Sequence, residues 1–259
     1  MDLKNSTILI TGGTSGMGLE FVKQLSEIGA KIIVTGRNLE ALYETKKQFP
    51  DVHTFQSDVS NPKDIKDLFD NVTTLFPDLN IIINNAGMMR LIDLQDQSLD
   101  LENINREIAI NLTGTIQMVH QFLPHLLKQK SAGIVNVSSG IAFMSYSPAP
   151  IYSATKAGIR AYTQALRLQL ENTNVKVFEM IPPGVKTNLQ NDWVKQPNPA
   201  MMMNADEMVK ISIDGLLKDK KELKPFPIRI IKMATRLMPN VLLNFGHREF
   251  REIKKLKSK

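Results

Sequence analysis

The strongest constraint on this chain is an alternation. Short apolar runs at 7–11, 31–35, 52–56, 81–84, 134–137 and 175–180 are separated by longer segments of helical period. Each run has strand length and is bounded by turn residues. Parallel neighbours need a crossover connection, and each crossover helix has to bury an apolar stripe, so the pattern predicts a parallel sheet with helices on both faces. The expected architecture is one doubly wound α/β domain over residues 1–224. It includes a substrate-loop or lid region at 188–218 and is followed by a basic C-terminal extension at 225–259. Ligands of such sheets bind beyond the carboxyl ends of the strands, so the residues just after each run matter most.

After the first run stands Thr11-Gly12-Gly13-Thr14-Ser15-Gly16-Met17-Gly18, followed by a segment of helical period. Glycines at a strand-to-helix turn let the backbone approach a pyrophosphate, and the free N–H groups and positive end of the new helix attract its charge. Gly12, Thr14, Ser15, Gly16, Met17 and Gly18 are therefore candidate contacts to a dinucleotide in a Rossmann-like fold. At the end of the second run, where an NAD enzyme places a carboxylate for the ribose 2′-hydroxyl, the chain reads Thr35-Gly36-Arg37-Asn38. A guanidinium pairs with a 2′-phosphate, so Arg37 points to NADP(H) as cofactor. The plainer alternative is a solvated arginine at the start of a helix, and Ser15 adds no basic charge of its own.

Tyr152-Ser153-Ala154-Thr155-Lys156 puts a phenol and an ammonium four residues apart on one helix face. Tyr43 and Lys47 share that spacing, but only Tyr152 follows a strand ending in Ser138-Ser139, 13 residues after Ser139. Reducing a carbonyl needs a hydride at carbon and a proton at oxygen, and a positioned phenol can supply the proton. The ordinary phenol pKa near 10 is high for that task, and a nearby cation is expected to lower it. Ser138 and Ser139 could also simply cap a strand end.

From the glycine turn to Thr187 the chain resembles the short-chain dehydrogenase/reductase family, whose glycines have this Gly-x3-Gly-x-Gly spacing. Asp58-Val59 resembles the adenine-contacting pair after the third strand. Asn84-Asn85-Ala86-Gly87 resembles the motif after the fourth, adding Asn85, Ala86 and Gly87 to the cofactor set. The resemblance implies a catalytic tetrad of Asn111, Ser139, Tyr152 and Lys156. Tyr152 would be the acid/base, Lys156 its helper and a holder of the nicotinamide ribose, Ser139 a donor to the substrate oxygen, and Asn111 the holder of a relay water. Pro182, Val185 and Thr187 fall where the nicotinamide amide and phosphates are held. One departure is Pro182-Pro183-Gly184, with Pro183 where the family commonly has glycine. That pair, with Ser139-Gly140-Ile141-Ala142-Phe143, resembles a bacterial subgroup named for a reductase encoded beside teichoic-acid D-alanylation genes.

The function implied is NADPH-dependent reduction of a carbonyl, or oxidation of the matching secondary alcohol. The alternative is a nucleotide-binding regulator or scaffold without turnover, which an intact tetrad disfavours. A sugar epimerase or dehydratase would need a larger C-terminal domain. Met88, Met89, Phe143, Met144, Tyr146, Trp193 and Met201–Met203 are candidate pocket walls, or else packing for a lid or a dimer contact. As walls they suit a hydrophobic small molecule, because methionines adapt to irregular ligands. Asn204 is the expected cap of the next helix. Apolar residues in 100–129 and 152–172, the elements through which related enzymes pair, point to a homodimer or homotetramer.

The chain has no cysteine, and His120 and His125, five apart, face different sides of a helix, so no metal site is expected. The start lacks the order of a signal peptide, which suits a cytoplasmic protein. The formal charge of +6 is uneven: residues 215–259 hold 13 Lys/Arg against 4 Asp/Glu, a net of +9, which leaves −3 for the rest. That speaks against a nucleic-acid-binding core. The tail, with Ile230, Ile231, Met233 and Leu237 among its basic residues, has two readings. It could contact an anionic inner membrane surface peripherally, or it could pack on its own domain.

Overall fold

A computed structural model describes residues 1–191 and 193–257. Asp192 in the expected lid, and Ser258 and Lys259 in the extension, lie outside the described residues. Seven strands form one sheet: β1 (Thr7–Thr11), β2 (Lys31–Gly36), β3 (His53–Gln56), β4 (Leu79–Asn84), β5 (Ala132–Val137), β6 (Val175–Met180) and β7 (Glu222–Leu223). Their spatial order is β3-β2-β1-β4-β5-β6-β7, with every neighbouring pair parallel. The chain builds outward from β1 to β3 and then restarts beside β1 with β4. The reversal, where a doubly wound sheet opens its crevice, falls between β1 and β4.

Six strands stand where the apolar runs predict them, with β4 and β5 each starting two residues earlier, at Leu79 and Ala132. The two-residue β7 was not expected. It lies in the charged stretch Lys220-Lys221-Glu222-Leu223-Lys224, and only its register with Glu179 and Met180 makes it a strand.

Period-2 alternation divides the core. Ile8 and Ile10 of β1 face one side, with Phe21 and Leu25 of α1 (Gly16–Ile28), Leu42 of α2 (Leu39–Gln48) and Ile213 of α7 (Ala205–Leu217). Leu9 faces the other side, with Leu68 of α3 (Pro62–Leu75), Phe122 of α5 (Gly114–Leu126) and Leu166 of α6 (Pro150–Gln169). Local signals set the helix ends. Asn38 and Asn61 accept N–H groups of the first turns of α2 and α3, and α1 stops at Gly29, whose φ of 93° a side chain would strain. Asn204 flanks α7 as expected, but its amide oxygen takes Lys186 Nζ instead of a first-turn N–H.

The apolar element at 100–129 is divided. α4 (Leu101–Glu107) passes through a π turn, Ile108–Thr113, into α5. A Cβ on Gly114, the first residue of α5, would stand 2.6 Å from the Val59 carbonyl oxygen, so the backbones touch there. In the tail, Pro239 separates α8 (Phe226–Leu237) from α9 (Pro239–Lys257). Both helices rest on the domain: Ile228 of α8 and Ile253 of α9 are buried. No described helix is long and apolar enough to cross a membrane.

Gly18, in the first turn of α1, is the tightest point of the glycine turn. A Cβ there would lie 2.1 Å from the Gly12 carbonyl oxygen and 2.6 Å from Asn85 Nδ2. Gly18→Ala forces the backbone to move, at a cost of about 1–3 kcal/mol. Its Tm should fall by about 2–10 °C. Gly184→Ala, whose nearest neighbour is 3.8 Å away, should melt close to the unmodified chain, and equal melting of all three would refute the packing role of Gly18.

Candidate active site

At the reversal, side-chain hydrogen bonds clasp the ends of β1 and β4. Thr11 Oγ1 accepts the N–H groups of Asn85 and Ala86, each at 3.0 Å, and Asn85 Nδ2 donates to the carbonyls of Thr11 and Gly12 at 3.0 and 3.1 Å. Above the clasp opens a cleft of about 670 Å³. Of the residues expected to hold a cofactor, all but Gly18 and Val185 line it. Gly18 lies beneath the turn, and Val185 is buried in a bridge with Met203 on the side of the neighbouring pocket. Thr11 was missed by the sequence reading, since a threonine ending a strand carries no signal of its own.

Several groups that line the cleft could hold a dinucleotide. A Cβ on Gly12 would come within 2.9 Å of Ala86 Cα, so the turn can take this shape only with glycine. The first N–H groups of α1 have no partner within the helix and Ser15 makes no side-chain cap, which leaves donors for an anion. Thr35 Oγ1 and Ser57 Oγ, on residues that line the cleft, are buried without hydrogen-bond partners. Arg37 is exposed in the cleft wall beside them.

α6 brings Tyr152 and Lys156 to the carboxyl ends of β4 and β5, both buried. Tyr152 also lines a second pocket of about 740 Å³, so it stands in the wall shared by the two spaces. Ser139, held at the start of a short turn where its Oγ accepts the Ile141 N–H, stands beside the Tyr152 phenol and lines the same pocket. Lys156 Nζ donates to the Val137 carbonyl at 2.8 Å and sits 5.5 Å from the Tyr152 ring centre. Asn111 lies in the π turn, where its Oδ1 accepts the Met88 N–H and its Nδ2 donates to the Met88 carbonyl and Thr155 Oγ1. A Cβ on Gly87 would stand 3.3 Å from Asn111 Oδ1 and 3.8 Å from Lys156 Nζ. The glycine therefore keeps open a gap between those two polar atoms.

Burial dominates both titrations. It pushes Tyr152 up to about 12, against the pull of Ser139 and with a further push from Glu107. It brings Lys156 down to about 8. The expected lowering of the phenol by Lys156 is absent from the protein alone. Nζ donates to the Val137 carbonyl and lies 5.5 Å from the ring centre, and desolvation dominates the phenol.

The second pocket is mostly apolar. Of the expected walls, Met89, Met144, Tyr146, Trp193, Met201 and Met202 line it. Met88 lines the cleft instead, Phe143 packs under the Arg160 guanidinium at 4.2 Å, and Met203 pairs with Val185. The loop over the pocket is pinned at its base, where Lys186 N–H donates to the Met203 carbonyl and Met203 N–H to the Gly184 carbonyl. The tail supplies walls that sequence reasoning did not foresee: Pro227 and Ile231 from α8, and Arg248, Glu249 and Glu252 from α9. Burial, with Glu249 beside it, pushes the Tyr146 phenol well above its ordinary value, and Lys195 of the loop pairs with Glu252.

A charged chain also went unforeseen. Glu179, buried in β6, accepts Ser138 Oγ and Arg160, each at 2.8 Å. Arg160 reaches Glu222 at 3.5 Å, and Glu222 pairs with Lys224 and Lys232 of α8. Burial raises Glu179 above the usual carboxylate range, whereas Glu222, despite desolvation, is held at about 2 by hydrogen bonds from Lys224 and Lys232. A carboxylate inside the run Val-Lys-Val-Phe-Glu-Met was the available signal. Glu107, one turn before Asn111, is likewise buried and accepts the Arg90 N–H at 2.8 Å.

The parallel sheet reversing between β1 and β4, with a glycine turn at that point, defines a Rossmann-like protein. Residues 6–198 match the short chain dehydrogenase family model, and the chain belongs to the short-chain dehydrogenase/reductase family. It is 38% identical over 237 residues to the uncharacterized oxidoreductase DltE of Bacillus subtilis (strain 168), covering 91% of this chain and 94% of that protein. It is 34% identical over 186 residues to an uncharacterized oxidoreductase of Staphylococcus epidermidis, covering 71% and 80%. Similar folds occur in a Burkholderia cenocepacia J2315 short chain dehydrogenase in complex with NADP (TM-score 0.80, 24% identity, covering 93% and 97%) and in a Burkholderia phymatum enzyme in complex with NAD (TM-score 0.81, 20% identity, covering 91% and 95%).

Lys156 carries a stability cost. Its pKa falls from 10.5 to about 8 on burial, so between those values the unfolded chain binds more protons. Stability therefore rises with pH across that window, and below it the whole penalty applies. Lys156→Met should raise the Tm at pH 7 by about 2–6 °C, net of the hydrogen bond lost at Val137. The advantage should shrink as the pH climbs toward 10.5. Thermal melts from pH 6 to 10 check this, and a variant no more stable at pH 7 would contradict it.

Proposed function

We propose that this protein is an NADP(H)-dependent oxidoreductase that reduces the carbonyl of an apolar small molecule, or oxidises the matching secondary alcohol. The observation that carries this reading is Tyr152, standing beside Ser139 in the wall shared by a polar, nucleotide-sized cleft and an apolar pocket. Bound NADPH would supply the hydride and, once oxidised, a positive ring charge beside Tyr152.

The chain's own groups do the rest. Tyr152 gives its phenolic proton to the substrate oxygen, and Ser139 donates a hydrogen bond to the same oxygen. Lys156 spends one N–H on Val137 and has others for ribose hydroxyls, while its charge favours the phenolate left after proton transfer. The gap above Gly87, between Asn111 Oδ1 and Lys156 Nζ, suits a water that returns the proton from solvent. Met89, Met144, Trp193, Met201 and Met202 support an apolar substrate.

The fold neighbours hold NAD in one case and NADP in another, so the fold admits both and the choice rests on local residues. Arg37 lies in the cleft wall, residues 34–38 include no carboxylate, and the buried hydroxyls of Thr35 and Ser57 stand on the same wall. NADPH should bind at least about tenfold more tightly than NADH, and Arg37→Asp should reverse the order. Fluorescence titration with both cofactors measures this, and equal affinities in the unmodified protein would refute the NADP(H) assignment.

Tyr152→Phe removes the transferable proton and little else. Assayed with NADPH on a panel of apolar ketones, it should lower kcat at least about 100-fold while leaving NADPH affinity within a few-fold. Retention of more than about a tenth of the rate would overturn the role of Tyr152.

A further inference from the structure

α8 has two working faces. Its inner face is part of the pocket: Ile228 is buried against Gly140, next to Ser139, while Pro227 and Ile231 line the pocket itself. Lys232, on the inner side, is tied to Glu222 at 2.9 Å. The outer face is apolar and bare. Phe226, Ile230, Met233 and Leu237 follow helical spacing and are 69%, 49%, 59% and 71% exposed, and Met238, Val241 and Leu243 continue the exposure into α9. These are seven of the large apolar side chains exposed among the described residues, gathered within 18 positions.

The charges beside this face have one sign. Arg229 and Arg236 are exposed between its apolar residues, and no acidic residue occurs between Glu222 and Glu249. Both of those carboxylates stand on the domain side, Glu222 paired with lysines and Glu249 in the pocket wall. A two-fold contact with a second copy through this face would bring arginines together with no carboxylate between them. An anionic bilayer instead takes the arginines at its headgroups and the apolar row at its acyl boundary. Sequence reasoning assigned Ile231 to such a face and left out Phe226. The structure exchanges them, because Ile231 turns into the pocket.

We infer that α8 is an interfacial helix that seats this protein on an anionic membrane, with its opposite face forming a wall of the substrate pocket. The substrate is then the carbonyl or secondary alcohol of a lipophilic molecule that partitions into that membrane. The substrate part rests on the oxidoreductase reading above. The membrane part does not.

Co-sedimentation of the full chain, saturated with NADPH, uses vesicles of phosphatidylcholine with phosphatidylglycerol and vesicles of phosphatidylcholine alone. The protein should pellet with the anionic vesicles at low salt, at least about tenfold more than with neutral ones, and should be released as salt rises. Ile230→Asp/Met233→Asp alters only exposed positions and should abolish pelleting with Tm and NADPH affinity unchanged. Arg229→Gln/Arg236→Gln should weaken it. Tyr152→Phe should pellet as the unmodified protein does, which separates this test from that of the chemistry. Three results would overturn the inference: no pelleting with anionic vesicles at low salt, equal pelleting with neutral vesicles, or undiminished pelleting of Ile230→Asp/Met233→Asp. Light scattering that shows a dimer split by the same double substitution would assign the face to a second copy instead.

Discussion

Thr11 and Asn85 hold the ends of β1 and β4 together, and the rest of the site depends on that clasp. The two strands are adjacent in the sheet but distant in the chain, and at their carboxyl ends the backbone of each has to leave in a different direction. Thr11 Oγ1 takes two N–H groups from the β4 side, and Asn85 returns two hydrogen bonds to carbonyls on the β1 side. Buried polar groups left without these partners would cost about 1–3 kcal/mol each. The clasp fixes the height of the glycine turn over the sheet, and hence where the first turn of α1 points. Gly12 and Gly18 lack Cβ atoms because Ala86 and the turn's own carbonyl occupy that space.

Around Tyr152, burial works against stability. A phenol raised to about 12 and an ammonium lowered to about 8 would each be easier to accommodate at the surface. They stay buried because β5, α6 and the π turn surround them and satisfy what they can: Ser139 beside the phenol, Val137 on the ammonium, Thr155 and Met88 on Asn111. The π turn carries Asn111 to the loop after β4, consistent with the tendency of such turns to mark functional sites.

The tail belongs to the same construction. Lys232 of α8 connects through Glu222, Arg160 and Glu179 to Ser138, the neighbour of Ser139, so the helix that closes the pocket is tied by ion pairs to the strand end that carries the site. A displacement of α8 would break the half-buried Lys232–Glu222 pair. The pocket wall is thereby coupled to the end of β5.

The linear pattern determined the sheet, its helices, the glycine turn and the grouping of Tyr152 and Lys156, because strand and helix periods and a helical spacing of four are local properties of the chain. It also determined the sign of charge at Arg37 and in the tail. Tertiary structure alone decided the rest. β7 exists only because Glu179 and Met180 offer a register, and the break at the π turn depends on α5 beginning against Val59. Val185 and Phe143 leave their expected places for Met203 and Arg160. Ile231 faces the pocket while Ile230 faces outward, a choice between adjacent residues of equal hydropathy that only the position of Gly140 beneath the neighbouring Ile228 could make. These outcomes depend on contacts between segments far apart in sequence, and local periodicity holds no information about them.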